Sequence, residues 1–444
     1  MTLALLNALA TAMAVAFIAY VAFILVPFLR HTPDPVADPE AFQFHFLVPC
    51  RDEDAVIGAT IATARTRFPS AHLWVIDDAS EDATRDIVLE AARIDPRIHL
   101  VARSLPDARR GKGDALNAAY RQLLESIGPG TDPDRVIVGV VDADGELDPD
   151  ALPVVAGAFE DPRVGATQVT VWMKNRADPT PLPGRGRWRN RFGHWLVTMQ
   201  DLEFRTVIAG MQSLRARTGT VGLGGNGQFA RLSTLQRIAE RNGTPWHGAL
   251  LEDYELGLHV LLAGYRIRHV YDAHVSQEAL PSLHRLITQR TRWAQGNIQC
   301  LRYTPRIIAS PHFSTAGVLE AMYYLLLPYF QLIGIGAVVT LTVSSFLGPA
   351  TEAPGPGQVA ALFVFALLPF AVWGPVYRAR CEPGRGGALS GVLLGIGLWA
   401  YVFYMYVCIL RAFVRLALRR NGWSKTRRNA ERVGRVRGSV AVER

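Results

Sequence analysis

Val136-Ile137-Val138-Gly139-Val140-Val141-Asp142-Ala143-Asp144 is an apolar, β-branched run that ends in two carboxylates one residue apart. It reads as a buried strand carrying Asp142 and Asp144 to the edge of a sheet. Residues i and i+2 leave a strand on the same face. The two carboxylates are therefore expected to converge on one hard divalent cation and, through it, on the phosphates of a nucleotide. Acidic turn residues after a strand are common, so the pair decides nothing by itself.

Around this run, residues 44–175 alternate short β-rich segments with segments of helical spacing. The expected strands are Phe44–Pro49, Leu73–Asp77, Ile98–Val101, Val136–Asp142 and Ala166–Trp172; Ala55–Arg67 and Lys112–Ser126 are expected helices. That alternation predicts an α/β domain with a mostly parallel sheet and crossover helices. Ligands of such sheets bind beyond the carboxyl ends of the strands. Polar clusters stand at three of those ends: Cys50-Arg51-Asp52-Glu53, Asp77-Asp78-Ala79-Ser80 and Asp142-Ala143-Asp144. Three together are far harder to dismiss than one. Arg109-Arg110-Gly111-Lys112-Gly113 precedes a helix and sets Lys112 where a phosphate would be stabilised. A solvated basic turn is the alternative, and no P-loop spacing is present.

Farther along, Trp188, Phe192, Trp195, Met199 and Leu202 recur at helical spacing behind Arg185, Arg187, Arg189 and Arg191. A helix lying on a bilayer surface has this pattern, as does a core helix with a basic end. Gly222-Leu223-Gly224-Gly225-Asn226-Gly227 satisfies GxGxxG but falls outside a first βαβ unit, so a glycine turn near a substrate is expected rather than a nicotinamide-cofactor fingerprint. Leu251-Glu252-Asp253-Tyr254 opens a helix whose dipole is expected to keep Asp253 ionised as a base; helix capping is the plainer role. Within Pro281–Leu301, the residues Gln289, Arg292, Trp293 and Gly296 share one helical face. There an arginine fork can hold a phosphate beside a sugar-facing indole; an Arg/Trp membrane belt is the alternative.

The chain has 444 residues, 49% of them hydrophobic, and a positive mean hydropathy, which points to lipid as well as water. Residues 1–29 hold no charged side chain and are long enough to cross a bilayer. Arg30 comes after the apolar run instead of preceding it, which favours an anchor over a cleaved signal peptide and puts the residues from Arg30 onward in the cytosol. Ala321–Leu347, Val359–Tyr377 and Gly386–Leu410 are three further apolar stretches. Residues 416–444 hold nine Lys/Arg against two Glu, so the net charge of +8 suits anionic headgroups and not nucleic acid. Four scattered cysteines indicate neither a disulfide framework nor a zinc site. The expected organisation is an anchor at 1–30, a cytosolic domain at 40–310, a membrane region at 311–415 and a basic tail at 416–444.

Taken together, Asp77-Asp78, Gly111-Lys112-Gly113-Asp114-Ala115-Leu116-Asn117, Asp142-Ala143-Asp144, Glu252-Asp253 and Gln289-x-x-Arg292-Trp293 resemble, in order, the motifs of membrane-embedded family 2 glycosyltransferases, the group of cellulose, chitin and hyaluronan synthases. The resemblance covers roughly residues 44–300. It implies a GT-A fold in the plasma membrane, a UDP-sugar donor, Mg2+ or Mn2+, and a β-linked product. It further implies that Asp77 and Asp78 hold the uridine, with Glu53 among the donor-side residues, and that Lys112 holds phosphates. Asp144 and Asp142 would hold the metal, Asp253 would be the base, and Gln289, Arg292 and Trp293 would frame diphosphate and acceptor. No FxVTxK-like gating segment is present, and about four spans are few for an extruding synthase, so a glycolipid or short saccharide product is expected over a long polymer. A non-catalytic sugar-nucleotide-binding membrane protein or transporter is the remote alternative. One contradiction stands: three further spans would leave the basic tail outside, against its charge, so either one apolar stretch is re-entrant or divided, with Pro328 the candidate position, or the tail is an exception to the charge rule.

Overall fold

The computed structural model describes residues 3–347 and 356–420; the basic tail beyond 420 lies outside the described residues. After the helix α1 (Leu3–Leu29) the chain builds an α/β unit. Its elements are β1 (Gln43–Cys50), α2 (Ile57–Arg67), β2 (His72–Asp78), α3 (Thr84–Ile94), β3 (Ile98–Arg103), α4 (Lys112–Ser126), β4 (Val136–Val140), β5 (Glu146–Leu147), α5 (Ala151–Phe159) and β6 (Val164–Met173). Then come α6 (Arg187–Leu202), a π-helical segment Glu203–Ile208, α7 (Ala209–Thr218), β7 (Gln228–Arg231), α8 (Leu232–Asn242), α9 (Glu252–Leu262), β8 (Arg266–Gln277), α10 (Leu283–Cys300) and α11 (Thr304–Ala309). The C-terminal helices are α12 (Thr315–Leu347), α13 (Pro356–Ala371), α14 (Trp373–Arg380), α15 (Ala388–Val402) and α16 (Tyr404–Ala417).

One eight-stranded sheet runs β3-β2-β1-β4-β7-β6-β8-β5. The β3-β2-β1-β4 half is parallel and β6 runs parallel to β8, while β7 is antiparallel to both neighbours and β5 is antiparallel to β8, so the sheet is mixed with parallel pairings in the majority. β4 is apolar throughout because helices cover both faces. Val136, Val138 and Val140 pack with Leu116, Leu123 and Leu235 on one side, whereas Ile137 joins Phe44, Phe46 and Val155 on the other. Strand order reverses between β1 and β4, which opens a crevice beyond their carboxyl ends.

Among the described residues, three helical segments are long and apolar enough to cross a membrane: Ala8–Leu29, Thr315–Ala337 and Ala388–Ala417. Pro328 lies inside an unbroken α12, so the expected division near it is wrong. The breaks fall instead at Val372, between α13 and α14, and at Phe403, between α15 and α16. Tyr377 in α14 donates to Asp201 at 2.5 Å, and Arg380 donates to the carbonyl of Leu29, so α15 starts beside the sheet. In α16, Cys408 contacts the carbonyl of Ile287, and Arg415 donates to Gln295 at 2.9 Å; Gln295 in turn donates to the carbonyl of Arg420 at 3.0 Å. The last turns of α16 are thus held against α10.

Candidate active site

β4 ends at Val140, two residues before Asp142. Asp142 and Asp144 thus occupy a turn, the two-residue alternation of a strand no longer applies, and the carboxylates diverge. Asp142 lines a cavity of about 430 Å3. Asp144 is 1% exposed and sits behind the wall, its Oδ2 accepting from the backbone N–H of Glu278 at 3.2 Å.

The cavity occupies the crevice and gathers Glu53, Asp78, Lys112, Asp142, Asp253, Gln289, Arg292 and Trp293. Asp77 is absent from its wall; buried, it caps the turn by accepting from the N–H of Ser80 at 3.0 Å. Asp78 accepts from Arg103 at 2.5 Å and from the N–H of Arg109 at 3.1 Å. The loops here are sewn together: Asp52 N–H donates to Ser80, Glu53 N–H to Thr84, and Arg109 Nη2 to the carbonyl of Ala79. Asp52, Ala79 and Arg109 all have positive φ, a strain of order 1–3 kcal/mol each that clusters where ligands are held.

Lys112, at the start of α4, donates to Asp142 Oδ1 at 2.6 Å and to the carbonyl of Gly225 at 2.5 Å. Against the desolvation of its burial, the charges of Asp142, Glu252 and Asp253 raise its pKa. The glycine turn 222–227 is part of this wall and is rigidly held by three amides. Gln212 bonds both the N–H and the carbonyl of Gly222, Gln168 bonds the N–H of Gly224 and the carbonyl of Asn226, and Asn226 accepts from the N–H of Asp142. A Cβ on Gly225 would lie 3.0 Å from Asp253 Oδ2 and 3.2 Å from Lys112 Nζ. A side chain there would make the Asp253 carboxylate or the Lys112 ammonium give by a few tenths of an ångström.

Asp253 is the second residue of α9, with Oδ1 accepting from the N–H of Tyr254 at 2.7 Å. The helix dipole is not the dominant influence on its charge. Burial, then the charge of Glu252, lifts its carboxyl to about 7, because losing hydration outweighs a dipole that favours charge by only about 1 kcal/mol. Glu252 is also raised, chiefly by burial.

α10 reaches this carboxylate because Gly296 lets it close on the start of α9; a Cβ there would lie 2.5 Å from the backbone nitrogen of Leu251. Trp293 is braced from behind. The Arg290 guanidinium lies 4.3 Å from its ring and makes a two-pronged bond to Glu203 at 3.0 and 2.7 Å, and Tyr401 donates to the same carboxylate at 3.0 Å. Glu203 begins the π-helical segment, a device common at functional sites, whose Phe204 and Ile208 also line the cavity. The 185–214 segment divides its character: Trp188 and Phe192 are exposed, whereas Met199 and Leu202 are buried.

Gln168, Gln212, Arg290 and Asn297 do not stand out in the sequence. Arg290 lies inside Gln-x-x-Arg-Trp and Asn297 one helical turn beyond it; the two glutamines meet their loop through contacts no local pattern encodes.

A family model described as "Glycosyltransferase like family 2" matches residues 39–296, more than half of the chain. Among its relatives, the β-monoglucosyldiacylglycerol synthase of Synechocystis sp. is 26% identical over 86% of this chain and 74% of that protein. The Trichormus variabilis protein of the same name is 29% identical over 57% of this chain, which spans about half (48%) of its length. An N-acetylglucosaminyltransferase of Rhizobium leguminosarum bv. viciae is 23% identical over 89% of this chain and 82% of that one. In fold, the chain is similar to the mannosyltransferase PcManGT from Pyrobaculum calidifontis, solved in complex with GDP-Man and Mn2+, with a TM-score of 0.57 and 20% identity over 94% of this chain and 99% of that one. With the family model spanning the crevice, the glycine turn and Gln-x-x-Arg-Trp alike, the chain belongs to the family 2 glycosyltransferases and carries their GT-A fold beside apolar helices.

Proposed function

We propose that this chain moves one sugar, glucose or N-acetylglucosamine, from a UDP-sugar to a hydroxyl of a membrane lipid with inversion at the anomeric carbon. The observation that carries this reading is the reach of the cavity. It runs from Asp78, Lys112 and Asp142 past Asp253 to Leu327 and Gln331 of α12 and Ile409 of α16, among the apolar helices. The names of the Synechocystis and Rhizobium relatives supply the glucose, diacylglycerol and N-acetylglucosamine of this proposal. The protein would be integral to the plasma membrane, with the cavity on the cytosolic face.

In the reaction, the acceptor oxygen bonds to C1 of the sugar while the bond from C1 to the diphosphate oxygen breaks, its electron pair leaving on UDP. Asp253 takes the hydroxyl proton and passes it to water. Asp77 and Asp78 serve the uridine end, Asp78 from the cavity wall, with Glu53 beside it; Lys112 turns from Asp142 to the phosphates. Arg292 faces the diphosphate, Trp293 offers a flat surface to a sugar, and Gln289 completes that face. Asp142, on the cavity wall, offers the hard oxygen donor that would hold Mg2+ or Mn2+, with Asp144 behind it in the same turn. When bound, such an ion offsets the charge on the departing diphosphate.

Membranes containing the chain, incubated with radiolabelled UDP-glucose or UDP-N-acetylglucosamine, are expected to place label in an organic-extractable lipid bearing one or a few sugars. EDTA should stop transfer and Mg2+ or Mn2+ restore it. Label mainly in an insoluble or water-soluble chain of many sugars would replace this reading with a polysaccharide synthase.

A further inference from the structure

The cavity ends, away from the donor side, among residues that no motif assigns. Asn297 lies one helical turn beyond Trp293 on α10 and is 6% exposed. Its Nδ2 donates to the carbonyl of Tyr324 at 3.2 Å, which fixes the amide and leaves Oδ1 buried on the cavity wall without a hydrogen-bond partner among the described residues. A buried acceptor left unmatched is costly unless a ligand donates to it. Gln331, a half-buried amide among apolar neighbours in α12, also lines the cavity. Polar side chains inside apolar spans normally mark a ligand path.

Building on the lipid-acceptor reading, we propose that Asn297 and Gln331 form the head subsite for a neutral lipid with a free hydroxyl, which enters sideways from the bilayer between α12 and α16. Leu327, Met405 and Ile409 line the same cavity and suit the glycerol esters and first methylenes of such a lipid. On the outward faces of the same helices Ile333, Val407 and Leu410 are exposed, an apolar surface suited to lipid chains outside this wall. Charge excludes a lipid phosphate. Neither α12 nor α16 contributes a cation to the cavity, and the nearby Arg215 and Arg290 are already paired with Glu320 and Glu203. A hydroxyl donates to Asn297 Oδ1; an ionised phosphate has only acceptors to offer it.

The test uses the full chain in phosphatidylcholine vesicles containing either diacylglycerol or a polyprenyl phosphate, with the turned-over UDP-sugar as donor. Asn297→Ala and Gln331→Leu should each raise KM for diacylglycerol by about tenfold, the worth of one buried hydrogen bond, with UDP affinity kept within a few-fold. Ile409→Trp should block diacylglycerol entry, whereas Val407→Trp, on the outward face of the same helix, should transfer normally. Retained UDP affinity identifies the folded variants; should Asn297→Ala lose it, Gln331→Leu and Ile409→Trp carry the test. Diacylglycerol glycosylation with unchanged KM in the folded variants overturns the subsite and leaves the proposed function standing. Preferential labelling of the polyprenyl phosphate overturns the neutral-head assignment. Absence of label in any lipid, with the unsubstituted chain, overturns the function on which the subsite rests.

Discussion

Two opposing effects act on Asp253: a helix N-terminus that favours its charge and a buried site that disfavours it, and burial prevails at about 7. As the proposed base, it accepts a proton only when ionised, so transfer should fall about tenfold per pH unit below about 7 and level off above it. A flat profile between pH 5.5 and 8 would assign the proton to another group. Asp253→Asn keeps the shape and removes the basicity; a loss of about 10²–10⁴ in kcat with UDP affinity unchanged is expected, and near-normal turnover would end the assignment. Glu252-Asp253 was legible from sequence because acidic residues opening a helix stand out. Its protonation was not, since burial depends on how Lys112, Gly225 and α10 close over it.

Among the elements, the glycine turn 222–227 shows most clearly what a local pattern omits. Its GxGxxG spacing marks a close backbone approach but not the partner, which is the Asp253 carboxylate itself. Gly225→Ala would press a methyl against Asp253 and Lys112. A shift of a few tenths of an ångström should cost up to about tenfold in kcat, short of the roughly hundredfold that a full ångström of misplacement can cost, while the circular dichroism spectrum stays unaltered; full activity would show that the turn has slack. Where apolar periodicity is strong, elements were legible, α4 to the residue. β7 was missed because four residues, two of them the buried polar Gln228 and Arg231, give no strand signal. β8 was missed because its Arg266, Arg268, His269 and Asp272 mask the alternation. The two carboxylates after β4 diverge because the strand stops short of them, a boundary that composition does not reveal.

For the whole molecule, acid is the predicted weakness. Burial lowers His45 to about 3 and both His259 and His269 to about 4. Their folded pKa values lie below the unfolded value near 6.5, so protons bind the unfolded chain more readily. The stability these residues contribute is complete above about pH 6.5 and drains away as pH falls towards 4. Thermal unfolding in detergent should show Tm dropping between pH 6 and 4.5, and a Tm constant over that range would mean these rings are not buried as neutral groups. The anchoring of α16 on α10 has a consequence for biogenesis. Arg415 and the carbonyl of Arg420 both bond Gln295 of α10, so the last helix completes its packing on an element synthesised more than a hundred residues earlier, and the order of synthesis is also the order of assembly.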